Sequence, residues 1–307
     1  MSEPLVSILM NCYNGSDYLK EALDSIYAQT NQSWEIILID NCSTDNSKEI
    51  IFSYNERIKY YNTNQFMTLG EGRNFGIKFC QAKYITFLDT DDIWDPHYLE
   101  ETISSIEKDA ELGMVYSNIK FIKSNGDIDK ILFRTEMPSG NIFRDLIRGY
   151  FLPMPAILIR RELLDEGEVF KKKYEVIEDL EFFTRLSYST QVFYIDKVLA
   201  YVRKHPKSLT ANKFFKFPLE TRDFIECLKT EIINFEVDYK RELDYLEITL
   251  NYQFAQAKWM NHENHEARQI IKKILLLRKK YIIVYFFMFF SHRYFVQVMK
   301  FFKVGNY

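Results

Sequence analysis

The sequence is poor in features that mark metal clusters or dinucleotide sites. Its four cysteines are scattered, with no CxxC pair and no histidines at zinc-ligand spacing, which favours reduced, packed thiols. The first apolar run is followed by NCYNGSDY, which is neither a GxGxxG fingerprint nor a glycine-rich phosphate loop. These absences disfavour a zinc protein, a dehydrogenase and a nucleotidyltransferase.

Acidic residues are absent from Arg268 to Tyr307, a stretch that carries nine lysines and arginines. The net charge of the chain is −3, so the preceding part carries −12. An acidic body disfavours nucleic-acid binding, and a basic aromatic tail predicts an anionic surface partner. The apolar run Tyr281–Phe290 is far shorter than the roughly 20 residues that cross a bilayer. Two interpretations of this run have equal weight. It is either a helix at a membrane interface or a helix buried against its own domain or a second subunit.

The beginning of the chain shows no signal peptide, because Met1–Pro4 is polar and leads directly into the strand-like LVSILM. We therefore expect a mature protein that begins in the cytosol. A cytoplasmic protein with a basic tail is expected to act at the inner face of the cell membrane as a peripheral protein.

Apolar runs and helical periodicity alternate in the first part of the chain. Residues 5–10 form a continuous apolar run, typical of a strand buried on both faces of a parallel sheet. A helical face follows at Leu19–Tyr27, then a strand at Glu35–Ile39, and later a helix at Glu71–Gln81. This alternation predicts a right-handed, doubly wound, mostly parallel α/β sheet.

A cluster of acidic residues follows the strand YITF at residues 84–87. It consists of Asp89, Asp91 and Asp92, with one threonine between the first two. Asp89 and Asp91 are two residues apart and can turn toward one cation, and their oxygens suit magnesium or manganese. Taken alone, the triplet favours a solvated acidic turn before a helix. Because ligands bind beyond the carboxyl ends of parallel strands, polar residues that follow the first two strands are expected beside it: Tyr13, Asn14 and Asp40.

The second half of the chain contains EDLEFFTRL, with Glu178 and Asp179 in the first turn of a predicted helix. A purely structural capping role is the alternative, since the helix dipole favours carboxylates there. From about residue 214 the pattern changes to long helices, which places a domain boundary near residues 210–215. We expect one domain at residues 1–212 and a helical region at 213–307.

Three segments, LVSILMNCYNGSDYLKEALDSIYAQT, EIILIDNCSTDNS and LGEGRNFGIKFCQAKYITFLDTDDIW, are followed by EDLEFFTRL and YVRKHPKSLT. In this order and spacing they resemble family 2 glycosyltransferases of the bacterial cell-surface glycan type. The resemblance covers about residues 4–210 and does not reach the helical tail. It implies a GT-A nucleotide-diphospho-sugar transferase fold with a C-terminal helical extension. The implied activity is metal-dependent, inverting transfer of a sugar from a UDP-sugar to a hydroxyl.

The resemblance also implies roles for individual residues. The implied nucleotide-binding residues are Tyr13, Asn14, Asp40, Arg73 and Asp89. The implied metal residues are Asp91 and His205, and the implied general base is Asp179. Three positions depart from the family pattern and alter loop stiffness and charge: Asn11 replaces a proline, Asn41 an acidic residue and Cys42 a glycine.

The expected cofactor is Mn²⁺ or Mg²⁺, because a divalent cation offsets the charge that accumulates on a leaving diphosphate. One carboxylate suffices as base for a single displacement. The expected partners are a nucleotide-sugar donor and a glycan or lipid-linked acceptor, with an anionic membrane or a second subunit for the tail, and no nucleic acid. The alternative is a catalytically silent protein that binds sugar nucleotides and acts as a scaffold at the membrane.

Overall fold

The computed structural model describes residues 3–164, 168–205, 215–277 and 279–290, together with residues 292, 294 and 297. Within that part of the chain, two compact units are distinguished. The first holds residues 3–146 and 150–205, and the second holds 147–149 and the residues from 215 onward. The segment 206–214, which includes most of the predicted boundary, lies outside the described residues. The domain limits 1–212 and 213–307 therefore stay a prediction.

The first unit begins with a parallel sheet in the order β3-β2-β1-β4. Its strands are β1 (Val6–Cys12), β2 (Trp34–Asp40), β3 (Ile58–Asn62) and β4 (Tyr84–Phe87). The connections contain α1 (Leu19–Tyr27), α2 (Ser47–Phe52) and α3 (Leu69–Ile77). β2 and β4 are buried throughout, as continuous apolar strands require. The predicted α/β class is confirmed.

The same sheet continues as β4-β8-β6-β9-β5 and becomes mixed, because β8 runs antiparallel to both of its neighbours. The remaining strands are β5 (Ile93–Trp94), β6 (Leu112–Lys123), β7 (Ile128–Ile131), β8 (Ile157–Arg160) and β9 (Gln191–Lys204). The helices are α4 (Tyr98–Ile106), α5 (Phe143–Arg148) and α6 (Glu178–Ser187), with 3₁₀ turns at Met154–Ala156 and Arg161–Leu163.

Strand register brings the turns after β1, β2 and β4 to one edge of the sheet. Cys12 is opposite Asp40, and Leu9 is opposite Phe87, so the chain leaves each of these strands at the same edge. β9 pairs with β5, which directly follows the acidic turn, and thereby carries its own end back to that turn.

Helix α3 lies unusually close to the end of β1. A Cβ atom at Gly72 would meet the Asn11 side-chain nitrogen at 2.9 Å, so a larger residue there would displace the Asn11 side chain. The helix begins with a capping box in which Thr68 and Glu71 bond each other's backbone amides. This packing places Arg73, the next residue, inside the unit with 4% of its surface exposed.

The second unit is helical in its described part, as predicted for the C-terminal region. Its helices are α7 (Phe217–Glu231), α8 (Phe235–Asp238), α9 (Lys240–Met260), α10 (Asn264–Lys272) and α11 (Lys279–Phe287). A core cluster joins the last three of them and includes Trp259, Ile271, Tyr281 and Met288. None of the helices described is both long and apolar enough to cross a membrane.

Candidate active site

The acidic turn Asp89–Asp92, here called the aspartate turn, meets the end of β9. His205 Nε2 lies 2.7 Å from Asp91 Oδ2, and both side chains remain partly open to solvent. The structure therefore brings together the two residues that the resemblance implied for metal binding, although 114 positions separate them in the chain. The rest of the KHPKSLT segment, from residue 206, lies outside the described residues.

Arg203 holds the aspartate turn in place, a function that the sequence did not reveal. Its backbone amide donates to Asp92 Oδ1 at 2.9 Å, and its Nε donates to the Asp91 carbonyl oxygen at 3.0 Å. The guanidinium also donates to Glu21 at 2.8 Å and lies 4.4 Å from the centre of the Tyr18 ring. A planar fork can satisfy several acceptors at once, so this arginine fixes the backbone that presents Asp91.

A second group of polar side chains lies at the start of α6 and is here called the buried cluster after its buried pair Arg73 and Glu178, although the Asp89 side chain at its edge is 38% exposed. Its members are Arg73, Asp89, Tyr150, Glu178 and Asp179. Arg73 donates to Glu178 Oε1 at 3.0 Å and approaches Asp89 Oδ1 at 3.4 Å. The Tyr150 hydroxyl donates to Asp179 Oδ2 at 3.2 Å.

The buried cluster contains three carboxyl groups and one guanidinium, so their protonation is coupled. Burial raises the pKa of Glu178 to about 7, the neighbouring Asp179 adds to the rise, and Arg73 opposes it. Burial also raises the pKa of Asp179, while Arg73 and the hydrogen bond from Tyr150 oppose that rise. The pKa of Tyr150 is raised by burial and by Asp179, so its hydroxyl stays a donor.

Glu178 and Asp179 lie in the first turn of α6, where Asp179 Oδ1 accepts from the Leu180 backbone amide at 2.8 Å. The residue before the helix is Ile177, and no side-chain capping bond is present there. Glu178 instead pairs with Arg73, which explains why its carboxylate can be buried. The contact with Leu180 is one that a structural role at the helix start predicts, so the general-base role of Asp179 stays a prediction; its other oxygen, Oδ2, accepts from the Tyr150 hydroxyl.

The turns after β1 and β2 form the remaining part of the site edge. Asp40 is buried, and its carboxylate accepts bonds from the Tyr60 hydroxyl at 2.7 Å and the Ser43 amide at 3.0 Å. The Asn14 side chain accepts from the Thr44 amide at 2.8 Å. The Asp40 carboxylate and the Asn14 carbonyl oxygen are thus engaged by the protein itself.

Tyr13 is the exposed member of this group. Its ring packs edge-on against Phe66 with centroids 4.9 Å apart, and both rings are more than half exposed. The sequence did not single out Phe66, because a lone aromatic residue in a loop has no periodic signal. Together the two rings offer flat apolar surface at the site edge.

The departures from the family pattern are accommodated locally. Asn41 clamps the following loop by bonding both the amide and the carbonyl of Met67, each at 2.8 Å. Cys42 adopts φ of 63°, in the left-handed region where glycine is unstrained. The amide of Asn11 donates to the Leu69 carbonyl at 3.1 Å, which joins β1 to α3.

Comparison with known proteins decides the family. The description "Glycosyl transferase family 2" matches residues 7–167, more than half of the chain. The chain belongs to glycosyltransferase family 2. TuaG of Bacillus subtilis, named for teichuronic acid biosynthesis, is 24% identical over 217 residues, covering 69% of this chain and 84% of TuaG.

Solved structures with the same fold are found among glycosyltransferases. TarS of S. aureus, residues 1–349 in complex with UDP, is similar with a TM-score of 0.66 and 20% identity over 87% of this chain and 78% of that chain. The mannosyltransferase PcManGT of Pyrobaculum calidifontis, in complex with GDP-Man and Mn²⁺, has a TM-score of 0.60 and 15% identity over 94% of this chain and 85% of that chain. These likenesses confirm the predicted GT-A fold.

Other curated members of the family are longer. The chain spans 66% of a glycosyltransferase from Rickettsia typhi, 65% of one from Methanocaldococcus jannaschii and 29% of one from Rickettsia bellii. The match to the family description ends at residue 167 and therefore does not include Asp179 and His205. Their proposed roles depend on the contacts that they make in this structure.

Proposed function

We propose that this family 2 glycosyltransferase moves a sugar, with inversion, from a nucleotide-diphosphate donor to a hydroxyl of a glycan or lipid-linked glycan in bacterial cell-surface polysaccharide synthesis. The observation that carries the proposal is the meeting of Asp91 and His205 at the sheet edge that also holds the buried cluster. Complexes of TarS with UDP and UDP-GlcNAc support a UDP-sugar as donor. The naming of TuaG for teichuronic acid biosynthesis supports a cell-surface polysaccharide as product.

The donor nucleotide is proposed to lie along the turns after β1 and β2. Tyr13 supplies the exposed ring on which a base can stack. Asn14 follows it in the turn after β1, and Asp40 ends β2. Binding of a uracil by Asp40 requires exchange of one bond that Tyr60 or Ser43 now makes. Asp89 is proposed to bind on the ribose side of the donor nucleotide. Arg73 is buried against carboxylates, so its proposed effect on the donor is electrostatic.

The residues at the turn fit a divalent cation. In the described part of the chain, three or more His, Cys, Asp or Glu side chains do not converge as a ready metal site. Magnesium and manganese, however, are commonly bound by one or two protein ligands together with substrate phosphates. Asp91 and His205 offer an oxygen and a nitrogen within bonding distance of each other, and Arg203 fixes the turn behind them. Mn²⁺ or Mg²⁺ held there would offset the charge of the leaving diphosphate.

Asp179 is the proposed general base. The acceptor hydroxyl must lose a proton as it attacks the sugar, and a positioned carboxylate can take it. The Tyr150 hydroxyl orients one Asp179 oxygen, and Arg73, held by Glu178 and Asp89, offsets part of the negative charge of the three carboxyl groups. A single displacement inverts the sugar and needs no protein nucleophile.

The proposal includes a cytoplasmic enzyme that works as a peripheral protein at the inner face of the membrane. A lipid-linked acceptor would be presented at that surface. The basic composition of residues 268–307 supports this placement, since the cytoplasmic leaflet is negatively charged.

The test is release of UDP from a panel of UDP-sugars, with GDP-sugars as comparison, in the presence of Mn²⁺ and with candidate acceptors added or omitted. We expect slow release without acceptor and faster release with a matching one. Binding of UDP-sugars without release under any acceptor would instead favour the silent scaffold. Faster release from GDP-sugars would overturn the choice of nucleotide.

A further inference from the structure

Helix α11 is apolar on the side that faces solvent as well as on the side that faces its own unit. The buried side contains Tyr281, Val284 and Met288. The opposite side contains Ile283 and Phe286, which are exposed, Phe286 to 63% of its surface, and the exposed Phe290 follows shortly after the helix. Spacings of three and four residues place each set on one side of the helix. The contacts within the unit therefore leave one apolar side of the helix uncovered among the described residues.

The exposed apolar residues are concentrated in one stretch of the chain. The apolar face, as it is called below, consists of Ile283 and Phe286 on the helix and of Phe289 and Phe290 in the turn after it, all of them exposed. Exposed apolar residues that are scattered singly are ordinary, whereas a concentrated set indicates an interaction surface.

The orientation of α11 is fixed by hydrogen bonds at its C-terminal end. Trp259 Nε1 donates to the Phe290 carbonyl at 2.8 Å, and Arg268 donates to the Met288 carbonyl at 2.9 Å. Asn264 adds a bond to the Phe290 carbonyl at 3.1 Å. Because α9 and α10 hold the helix end in this way, the apolar face cannot turn inward without losing those bonds.

The surroundings of the apolar face are positively charged. Lys272 ends the preceding helix and Lys273 follows it, both of them exposed, and the Arg268 guanidinium lies 4.3 Å from the centre of the Phe289 ring. The sequence from Arg268 onward contains nine basic and no acidic residues. A second copy of the same face would bring like charges together, which disfavours self-association through it. An anionic surface with an apolar interior is complementary in both respects.

We infer that the apolar face binds the surface of a lipid bilayer that contains anionic lipids. The aromatic side chains enter the boundary between headgroups and acyl chains, where such rings are stable, and the exposed lysines contact the headgroups. This surface is independent of the transfer chemistry, so the inference stands or fails apart from the proposed donor and base.

The experiment is sedimentation of the full chain with vesicles of phosphatidylglycerol and phosphatidylcholine, and with vesicles of phosphatidylcholine alone. We expect binding to the anionic vesicles that weakens with salt, and at least about tenfold weaker binding to the neutral ones. The double variant Ile283→Ser, Phe286→Ser should reduce binding to anionic vesicles by about tenfold or more. Lys272→Gln with Lys273→Gln should reduce it less and flatten its salt dependence.

The matched control is Ile233→Ser with Val237→Ser, two residues of the same unit that are exposed to 87% and 76% and lie outside the apolar face. This control should bind as the wild type does. Equal loss in the control, or a wild type that stays in solution with anionic vesicles at low salt, would overturn the inference. A wild-type dimer that Phe286→Ser dissociates, without vesicle binding, would assign the face to a second copy instead.

Discussion

Two pairs of side chains in the candidate site, Asp91 with His205 and Arg73 with Glu178, differ in how far they are open to solvent. The side chains of Asp91 and His205 are 30% and 12% exposed, whereas those of Arg73 and Glu178 are 5% and 7% exposed. The open pair can exchange its internal bond for a ligand that arrives from solvent. The buried pair cannot do so without leaving an unpaired charge inside the protein, which is costly.

This difference separates two tasks within one site. The open pair is suited to hold a metal ion and a diphosphate, which enter and leave in each turnover. The buried cluster is suited to set the charge and orientation of Asp179, which must stay constant. Each prediction below acts on one of the two groups, so its result sharpens or breaks the separation.

The largest effect is expected for Asp91→Ala. UDP release should fall to background, and Mn²⁺-dependent binding of UDP should be lost, because an anionic ligand is removed where diphosphate charge must be offset. Steady-state assays and titration of UDP with and without Mn²⁺ measure both. Asp24→Asn, which changes a surface carboxylate bound to Lys20 and Tyr54, is the control. Full wild-type activity in EDTA, or an active Asp91→Ala, would contradict the metal assignment.

The next effect is expected for Asp179→Asn, which keeps the shape of the side chain but cannot accept the proton. Transfer should fall by on the order of 10²-fold or more, while UDP binding stays nearly unchanged. The comparison variant is Glu178→Gln, which changes the neighbouring carboxylate.

Glu178→Gln should reduce transfer less than Asp179→Asn does, because Glu178 faces Arg73. Because burial raises the pKa of Glu178 to about 7 and the glutamine oxygen can still accept from Arg73, the free energy of unfolding should stay within about 1 kcal/mol of the wild-type value. Thermal unfolding and transfer assays on both variants separate the two roles. If Asp179→Asn transfers normally while Glu178→Gln does not, the base is Glu178.

A smaller effect is expected for Arg203→Lys, which keeps the charge but loses the fork that holds the aspartate turn. The affinity for Mn²⁺ should fall about tenfold, and saturating Mn²⁺ should restore kcat to within a few-fold of the wild type. Lys204→Gln, the exposed neighbour that pairs with Asp129, is the control. A loss of kcat that added Mn²⁺ does not restore would show that Arg203 acts elsewhere.

The smallest effect is expected for Tyr150→Phe, which removes the hydrogen bond to Asp179. That bond favours the ionised carboxylate and lowers its pKa, so its loss raises the pKa of Asp179. Since the base must be ionised, the acidic limb of the kcat profile should move to higher pH by less than about one unit. At pH values above that limb, the kcat of Tyr150→Phe and that of the wild type should converge. Tyr188→Phe, at an exposed position, should leave the profile unchanged.

Much of the fold could be predicted because it depends on patterns that are local in the chain. Continuous apolar strands, helical periodicity and the acid after YITF predicted an α/β sheet with polar residues at the ends of its strands. The carboxyl ends of parallel strands share one edge, so the convergence of Asp40 and Asp89 on that edge followed without knowledge of side-chain contacts.

Neither the burial of Arg73 nor the role of Arg203 could be read from such patterns. Arg73 meets Glu178 across 105 positions of sequence, and it is buried because α3 approaches β1 at Gly72. Arg203 lies in a strand-like segment, where a charged residue predicts an exposed position. It can be buried because the Asp91 carbonyl oxygen and the Glu21 carboxylate accept hydrogen bonds from its guanidinium. These partners are brought together by packing between elements that are far apart in the sequence.

The sequence by itself determined the alternation of strands and helices, the acidic turn and the charge of the tail, because each depends on residue type and spacing along the chain. Only the tertiary structure decided that Glu178 pairs with Arg73, that His205 reaches Asp91, and that α11 buries one apolar side and exposes the other. Hydrophobic periodicity states how many sides of a helix are apolar, but the side that is buried depends on which neighbours supply contacts and hydrogen bonds.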